Sequence, residues 1–341
     1  MPKYLFPERN EYLDKYLFPF EKGEELELTG TYFFELYISV NKFIADESYI
    51  YKIKIPPNIK YCILNIDFCE NTTSTTNLTS NKKLKIINKI NTIIPNILPI
   101  TQIEYLYCNE LFIKKISKYT NLKTLILDSS HFPCDLEKKP KFTLDMLPSS
   151  LIRLEINVMF FSCTLDNLPP NLKVLKINTN RCNTNPINKY CYDDVYYDDC
   201  CFGYPHSLDN LPSGLEILYF PTTSSWTDDM DPEYDNNYQG NLDYLPSGLK
   251  YLCLQKEFSK SIDFNLIPDS VEVIEISNVF DINDISNIFI KMTKYPASLK
   301  KIYSNYKYHS FLNNAVVKNC FYNENISKYE IHIDTDIAKY Y

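Results

Sequence analysis

The stretch LPSSLIRLEI, from Leu147 to Ile156, carries the pattern that decides the fold. An aliphatic residue is followed by Pro, two small or polar residues, and then aliphatic residues at the fifth, eighth and tenth places. The eighth and tenth side chains point to one face of a strand, and the ninth points to the other. Pro fixes φ and lacks an amide donor, so it suits an extended or turn segment and would disrupt a helix or a central strand. The pattern therefore predicts a short strand that buries one face and a return path that is mostly non-helical.

The same ten-residue pattern recurs along the chain. Clear copies are LPPNLKVLKI from Leu168, LPSGLEILYF from Leu211, LPSGLKYLCL from Leu245 and IPDSVEVIEI from Ile267, with weaker copies near residues 55, 98, 121 and 295. Copies that start at 147 and 168 are 21 residues apart, and those at 245 and 267 are 22 apart. A repeat of this size cannot bury its own aliphatic side chains, so stacked neighbours and capped ends are expected.

These residues resemble leucine-rich repeats. FNLIP, from Phe264 to Pro268, followed by SVEVIEI is similar to the FNIP-type repeats of amoebae and of the giant viruses that infect them, and the Pro-containing copies resemble the LPxxLxxLxL repeats of bacterial effectors. The resemblance spans roughly residues 55 to 304. It implies an α/β-type leucine-rich-repeat solenoid with a curved parallel β-sheet on the concave side, mostly non-helical return segments and capped ends.

Three regions are predicted from the distribution of the repeats. Residues 1–50 lack the pattern and form an N-terminal cap or a docking segment, residues 51–304 form the solenoid, and residues 305–341 form a C-terminal cap. Two insertions, 178–206 and 221–240, begin directly after strands, so we expect them to project from the same edge of the sheet. Loops of this length are uncommon in compact domains unless they are functional or disordered.

Both insertions are acidic. Their carboxylates are Asp193, Asp194, Asp198, Asp199, Asp228, Asp229, Asp231 and Glu233. Such residues form a solvated loop, a surface for basic partners, or hard oxygen ligands for a cation. Pro232 and Tyr234 stand where a calcium-binding loop needs flexibility, so we predict no metal. The cysteines at 182, 191, 200 and 201 lack the short paired spacings of a structural zinc site and are interpreted as reduced thiols.

Composition excludes several classes of function. The chain has 45% hydrophobic and 23% charged residues, as folded soluble proteins do, and its net charge of −8 counts against nucleic-acid and anionic-membrane binding and favours a basic protein partner. We find no secretory signal, and no apolar run approaches the roughly 20 residues of a membrane helix. We therefore expect an intracellular protein that is located in the cytoplasm. If the chain is viral, this is the cytoplasm of a host cell.

No arrangement of residues indicates catalysis. None of the four histidines lies near a Ser or Cys in a recognisable nucleophile context, and six glycines supply no phosphate-binding loop. We predict no enzymatic activity and no cofactor.

The seventh and ninth places of each repeat should face out of the sheet, on its concave side. The candidate binding residues at these places are Tyr105, Tyr107, Arg153, Glu155, Lys176, Tyr219, Tyr251, Glu275 and Tyr303. Tyrosine is enriched at protein interfaces, although codon bias and the β-propensity of tyrosine are a simpler explanation. We predict a protein-binding scaffold that uses this concave sheet. The alternative is a ubiquitin-ligase substrate receptor with an adaptor bound through residues 1–50.

Overall fold

The computed structural model describes a large part of the repeat region. The described residues are 33–39, 50–51, 59–67, 89–90, 92–94, 96–108, 116–128, 144–158, 164–179, 208–219, 242–255, 262–277, 289–290, 294–304, 317–323 and 328–333. The chain divides into two compact units. The β1–β5 unit comprises Glu25–Met159 and Asn180–Val195, and the β6–β14 unit comprises Met1–Glu24, Phe160–Thr179 and Tyr196–Tyr341.

The β1–β5 unit is built on parallel strands that lie side by side in chain order. They are β1 (Phe33–Ser39), β2 (Tyr61–Asp67), β3 (Tyr105–Cys108), β4 (Thr124–Asp128) and β5 (Arg153–Val158). Strand β1 falls within the region expected to be an N-terminal cap or docking segment, where it pairs along its whole length with β2. The parallel sheet thus begins before the first recognisable repeat.

The β6–β14 unit repeats this arrangement. Its main sheet has the order β6-β7-β8-β10-β12-β14-β13. The strands of the unit are β6 (Val174–Thr179), β7 (Ile217–Tyr219), β8 (Tyr251–Gln255), β9 (Ile262–Asp263), β10 (Val273–Ser277), β11 (Phe289–Ile290), β12 (Lys301–Ser304), β13 (Val317–Asn323) and β14 (Lys328–Ile333). Strands β6 to β12 of the main sheet are parallel, whereas β14 and β13 form an antiparallel hairpin on β12. Strands β9 and β11 pair separately.

The aliphatic residues of the repeat form continuous columns across the strands. Leu175 lies opposite Leu218, and Leu218 lies opposite Leu252. In the β1–β5 unit Leu125 lies opposite Leu154, and all five of these leucines are fully buried. The register predicted from the eighth and tenth places is confirmed, and with it the fold class of a leucine-rich-repeat-like solenoid.

The Pro of each repeat begins a tight turn into the strand. Its carbonyl accepts a hydrogen bond from the amide of the fifth-place residue three positions later, which is the closing bond of a β-turn. Among the described residues, turns of this kind with N···O distances of 2.9–3.1 Å run from Pro148, Pro169, Pro212, Pro246, Pro268 and Pro296. Short 3-10 turns at Leu144–Met146 and Phe264–Leu266 precede two of these prolines. Because the proline lies in the turn and not in the strand, it does not interrupt the pairing of the strands.

The predicted insertions lie largely outside the described residues. Strand β6 extends through Thr179, so the first two residues assigned to the insertion 178–206 belong to the strand. The eight acidic residues of the two insertions lie outside the described residues. Within the described part of the chain, no helix is long and apolar enough to cross a membrane.

Candidate partner-binding face

The candidate binding residues lie together on one face of each sheet. We define the second face as the side formed by the seventh and ninth places of the repeats, opposite the aliphatic columns. In the β6–β14 unit Lys176 lies opposite Tyr219, and Glu275 lies opposite Tyr303. In the β1–β5 unit Tyr107 lies opposite Ile126, which lies opposite Glu155. The side chains predicted to share a face therefore do so.

A polar network crosses the second face of the β1–β5 unit. Arg153 Nη2 donates a hydrogen bond of 2.9 Å to Glu155 Oε2, and Asn157 Nδ2 donates one of 3.1 Å to Glu155 Oε1. The hydroxyl of Tyr107 donates to the carboxylate of Asp128. Arg153 is 1% exposed and Glu155 is 4% exposed, so this ion pair lies in a largely dehydrated environment.

Aromatic and charged side chains form a second network on the β6–β14 unit. The Lys176 ammonium lies 5.3 Å from the centre of the Tyr219 ring, within the range of a cation–π contact. The rings of Tyr219 and Tyr251 stack with their centres 5.8 Å apart, and the hydroxyl of Tyr251 donates to the carboxylate of Glu275. Four adjacent strands are thus connected through their side chains.

Glu330 joins this face from outside the repeats. It lies opposite Tyr303 in the antiparallel pairing of β12 with β14, and one carboxylate oxygen lies 2.9 Å from both Lys301 Nζ and His332 Nε2. The repeat pattern carried no signal for Glu330, because only the fold of the hairpin brings β14 beside β12.

The side chains of the second face are more buried than we expected from the register of the strands. Tyr105, Tyr107 and Lys176 are half-buried, whereas the other six predicted binding residues, Arg153, Glu155, Tyr219, Tyr251, Glu275 and Tyr303, are buried. The expectation that this face stays open was wrong for most of its positions. Neighbouring strands lie about 4.8 Å apart, so large side chains on them contact one another, as the stacked rings of Tyr219 and Tyr251 do on the diagonal between β7 and β8.

Burial raises the pKa of tyrosines on this face. It is the main cause that raises the pKa of Tyr251, and the negative charge of Glu275 raises it further. Burial also raises the pKa of Tyr105 and of Tyr107, with the hydrogen bond to Asp128 as a second cause for Tyr107. These phenols therefore stay neutral to a higher pH than an ordinary tyrosine does.

Alternating charges at the sixth place of the repeats form a ladder at the strand entrances. Glu104 lies 3.1 Å from Lys60 Nζ and 2.9 Å from Lys123 Nζ. Glu216 lies 3.4 Å from Lys173 Nζ and 2.8 Å from Lys250 Nζ, and Glu272 lies 2.7 Å from Lys300 Nζ. Our reading of the sequence missed this ladder, although the alternation of Lys and Glu at one repeat position is visible in it. The ladder joins neighbouring repeats through charge.

Within the described residues, no three His, Cys, Asp or Glu side chains are grouped so that they could hold a metal ion.

Comparison with known protein families gives a match to part of the chain. Residues 239–278 match the FNIP Repeat family model. This segment contains LPSGLKYLCL, the FNLIP phrase and strands β8 to β10. No curated protein and no solved structure matches the chain. Residues 239–278 are thus similar to a FNIP repeat, and they lie within a fold in which strands from successive repeats stack in parallel.

Proposed function

We propose that this chain is a non-enzymatic protein-binding scaffold and that the second face of its sheets contacts the partner. The observation that carries the proposal is the position of the buried charges. The four charged side chains that are buried among the described residues are Arg153, Glu155, Glu275 and Glu330. All four lie on the second face, and the aliphatic columns contain none of them.

Buried charges are poor sources of stability. Replacing a buried ion pair by aliphatic residues of similar volume is often neutral or stabilising, because removing charges from water costs more than their attraction returns. This fold tolerates aliphatic residues at equivalent places, since Ile126, Val174, Ile217 and Val273 are buried on the same face. Charges that are kept where stability does not require them are a sign of a functional surface.

The residue types of this face suit a protein partner. Tyr and Arg are enriched among the residues that dominate binding energy at protein interfaces. The face spans several strands in each unit, as a contact with a macromolecule requires. We propose that the scaffold acts in the cytoplasm, and the net charge of −8 favours partners with basic surfaces.

The proposal is tested by a comparison of isosteric variants. Full-length wild type, the Glu275→Gln/Glu330→Gln double variant and the Glu216→Gln control are used to capture proteins from cell lysate, and each captured protein is then produced and titrated directly. Glu216 lies at a strand entrance, away from the second face. We expect direct binding to wild type and to the control, with weaker binding to the double variant although its circular dichroism is unchanged. Equal binding to all three would contradict the proposal.

An N-terminal deletion distinguishes the proposed scaffold function from that of a ubiquitin-ligase substrate receptor. Because β1 pairs with β2, removal of residues 1–50 would expose the edge of the sheet, so the deletion must end before Phe33. We expect partners to be retained when residues 1–30 are removed. Selective loss of ligase components from that variant would contradict the scaffold and support the receptor.

A further inference from the structure

Arg153 has hydrogen-bonding capacity that this fold does not use. It is the first residue of β5 and is 1% exposed. Its Nη2 donates to Glu155, but Nε and Nη1 are buried and have no acceptor among the described residues. The guanidinium carries five N–H donors in a rigid fork. The donors on these two nitrogens are therefore both dehydrated and unpaired.

This arrangement destabilises the free protein. A buried donor without an acceptor loses its hydrogen bonds to water and gains nothing in return. Thr124, directly opposite on β4, is a small neutral residue, and the seventh place holds Val174, Ile217 and Val273 elsewhere in the chain. Apolar residues in place of both Arg153 and Glu155 would avoid the penalty. Buried polar groups that are left unpaired call for an explanation other than stability.

The surrounding charges indicate what kind of group pairs with Arg153. Glu155 already neutralises the guanidinium, and Asp128 places a further carboxylate on the same face. A third carboxylate would be repelled here, whereas a neutral oxygen acceptor would satisfy the donors without adding charge. The main-chain carbonyl is the neutral oxygen acceptor that every peptide carries.

We propose that Arg153 is an anchor for main-chain carbonyl oxygens of an uncharged, extended peptide segment of the partner. This proposal rests on the scaffold function proposed above and specifies the chemistry of its partner. Because Arg153 is 1% exposed, a peptide reaches it only after a local opening of the second face. Association is then slower than the roughly 10⁵–10⁷ M⁻¹ s⁻¹ that is typical of preformed protein surfaces.

The experiment uses the full chain and selected peptides. Display libraries of uncharged and of Glu-rich peptides are selected on the wild type, and the recovered peptides, acetylated and amidated at their ends, are titrated by fluorescence anisotropy. The variants are Arg153→Met, which removes the donors, Arg153→Lys, which keeps the charge without the fork, and Lys118→Met, an exposed cation in the same unit. We expect uncharged peptides to bind wild type and Lys118→Met equally and to bind Arg153→Met at least about tenfold more weakly, as the loss of charge-assisted hydrogen bonds predicts. Arg153→Lys should also bind more weakly.

A thermal melt completes the test. Arg153→Met alone leaves Glu155 buried without its counterion, so the melt uses Arg153→Met/Glu155→Gln, which removes both buried charges. Because the unpaired donors destabilise the free chain, this double variant should melt at the same temperature as wild type or higher. Recovered peptides that bind Arg153→Met as tightly as wild type would overturn the Arg153 anchor and leave the scaffold function intact. An Arg153-dependent preference for Glu-rich peptides would overturn the neutral acceptor. A double variant that melts well below wild type would overturn the premise that the unpaired donors destabilise the free chain, and with it the anchor. A wild type that binds neither library would overturn the peptide anchor, and the capture experiment described above decides the scaffold function separately.

Discussion

The hydroxyl of Tyr251 donates a hydrogen bond to the carboxylate of Glu275, so a buried phenol and a buried carboxylate pair across strands β8 and β10. Tyr251 lies directly opposite Val273 in the parallel pairing, and Glu275 lies two residues further along β10. The contact is thus diagonal, which a tyrosine is long enough to make. It joins two repeats on the face that we propose for partner binding, and it adds to the effect of burial in raising the pKa of Tyr251.

Alkaline pH should weaken the fold through Tyr251. Its folded pKa is raised above the ordinary value of 10.0, so stability is complete below pH 10.0 and falls as the pH rises toward the folded pKa, because only the unfolded chain loses the proton. Tyr251→Phe should lower the free energy of unfolding by about 1–3 kcal/mol at neutral pH, since Glu275 loses a donor, and should flatten the fall above pH 10.0. Urea titrations across this pH range measure both effects. If the stability of Tyr251→Phe falls as steeply with rising alkaline pH as that of wild type, the alkaline loss does not come from Tyr251.

Leu175 should be far more important for stability than its neighbour. It is fully buried opposite Leu218, so Leu175→Ala should cost about 2–5 kcal/mol of unfolding free energy through lost transfer energy and a cavity. Lys176→Ala on the second face should cost less than about 1 kcal/mol, because it removes one cation–π contact. Equal losses for the two variants in chemical denaturation would show that the register is wrong.

Reversal of the charge at position 216 should destabilise the charge ladder. Glu216→Lys replaces two attractions, to Lys173 and to Lys250, by repulsions. Exposed pairs contribute roughly 0.2–1 kcal/mol each, so we expect a loss of about 1–2 kcal/mol at low salt that shrinks at high salt. Lys250→Glu in the same chain should restore part of the loss, and a double-mutant cycle of urea titrations measures the coupling. If the effects of the two substitutions on the free energy of unfolding are strictly additive, the two side chains do not interact, and the ladder does not couple neighbouring repeats.

Acid pH should act on the other part of the ladder through Glu104. The hydrogen bond from Lys123, followed by that from Lys60, lowers the pKa of Glu104 below its ordinary value of 4.5. The stabilisation is therefore complete above pH 4.5 and is lost as the pH falls through the lower folded pKa. Glu104→Gln should remove this part of the acid sensitivity, so that the two proteins differ in stability at neutral pH and converge at low pH. A difference in stability between the two proteins that does not change with pH would contradict the lowered pKa of Glu104.

The repeat spacing predicted the register correctly because the period of two residues in a strand leaves only one way to bury the eighth and tenth side chains. Leu175, Leu218 and Leu252 consequently lie side by side, as predicted. The same reasoning placed Lys176, Tyr219, Tyr251, Glu275 and Tyr303 on one face of the β6–β14 unit. It did not predict the exposure of these side chains correctly, because a strand pattern shows which way a side chain points but not which residues pack against it.

The sequence by itself determined the repeat, the parallel strands and the division of side chains between two faces, because each of these follows from local spacing and backbone chemistry. Only the tertiary structure decided that the second face is largely buried, that Arg153 keeps unpaired donors there, and that Glu330 joins it from the terminal hairpin. These features depend on pairing between residues that are distant in the chain, and burial and electrostatic energy are properties of the assembled neighbours rather than of any one segment.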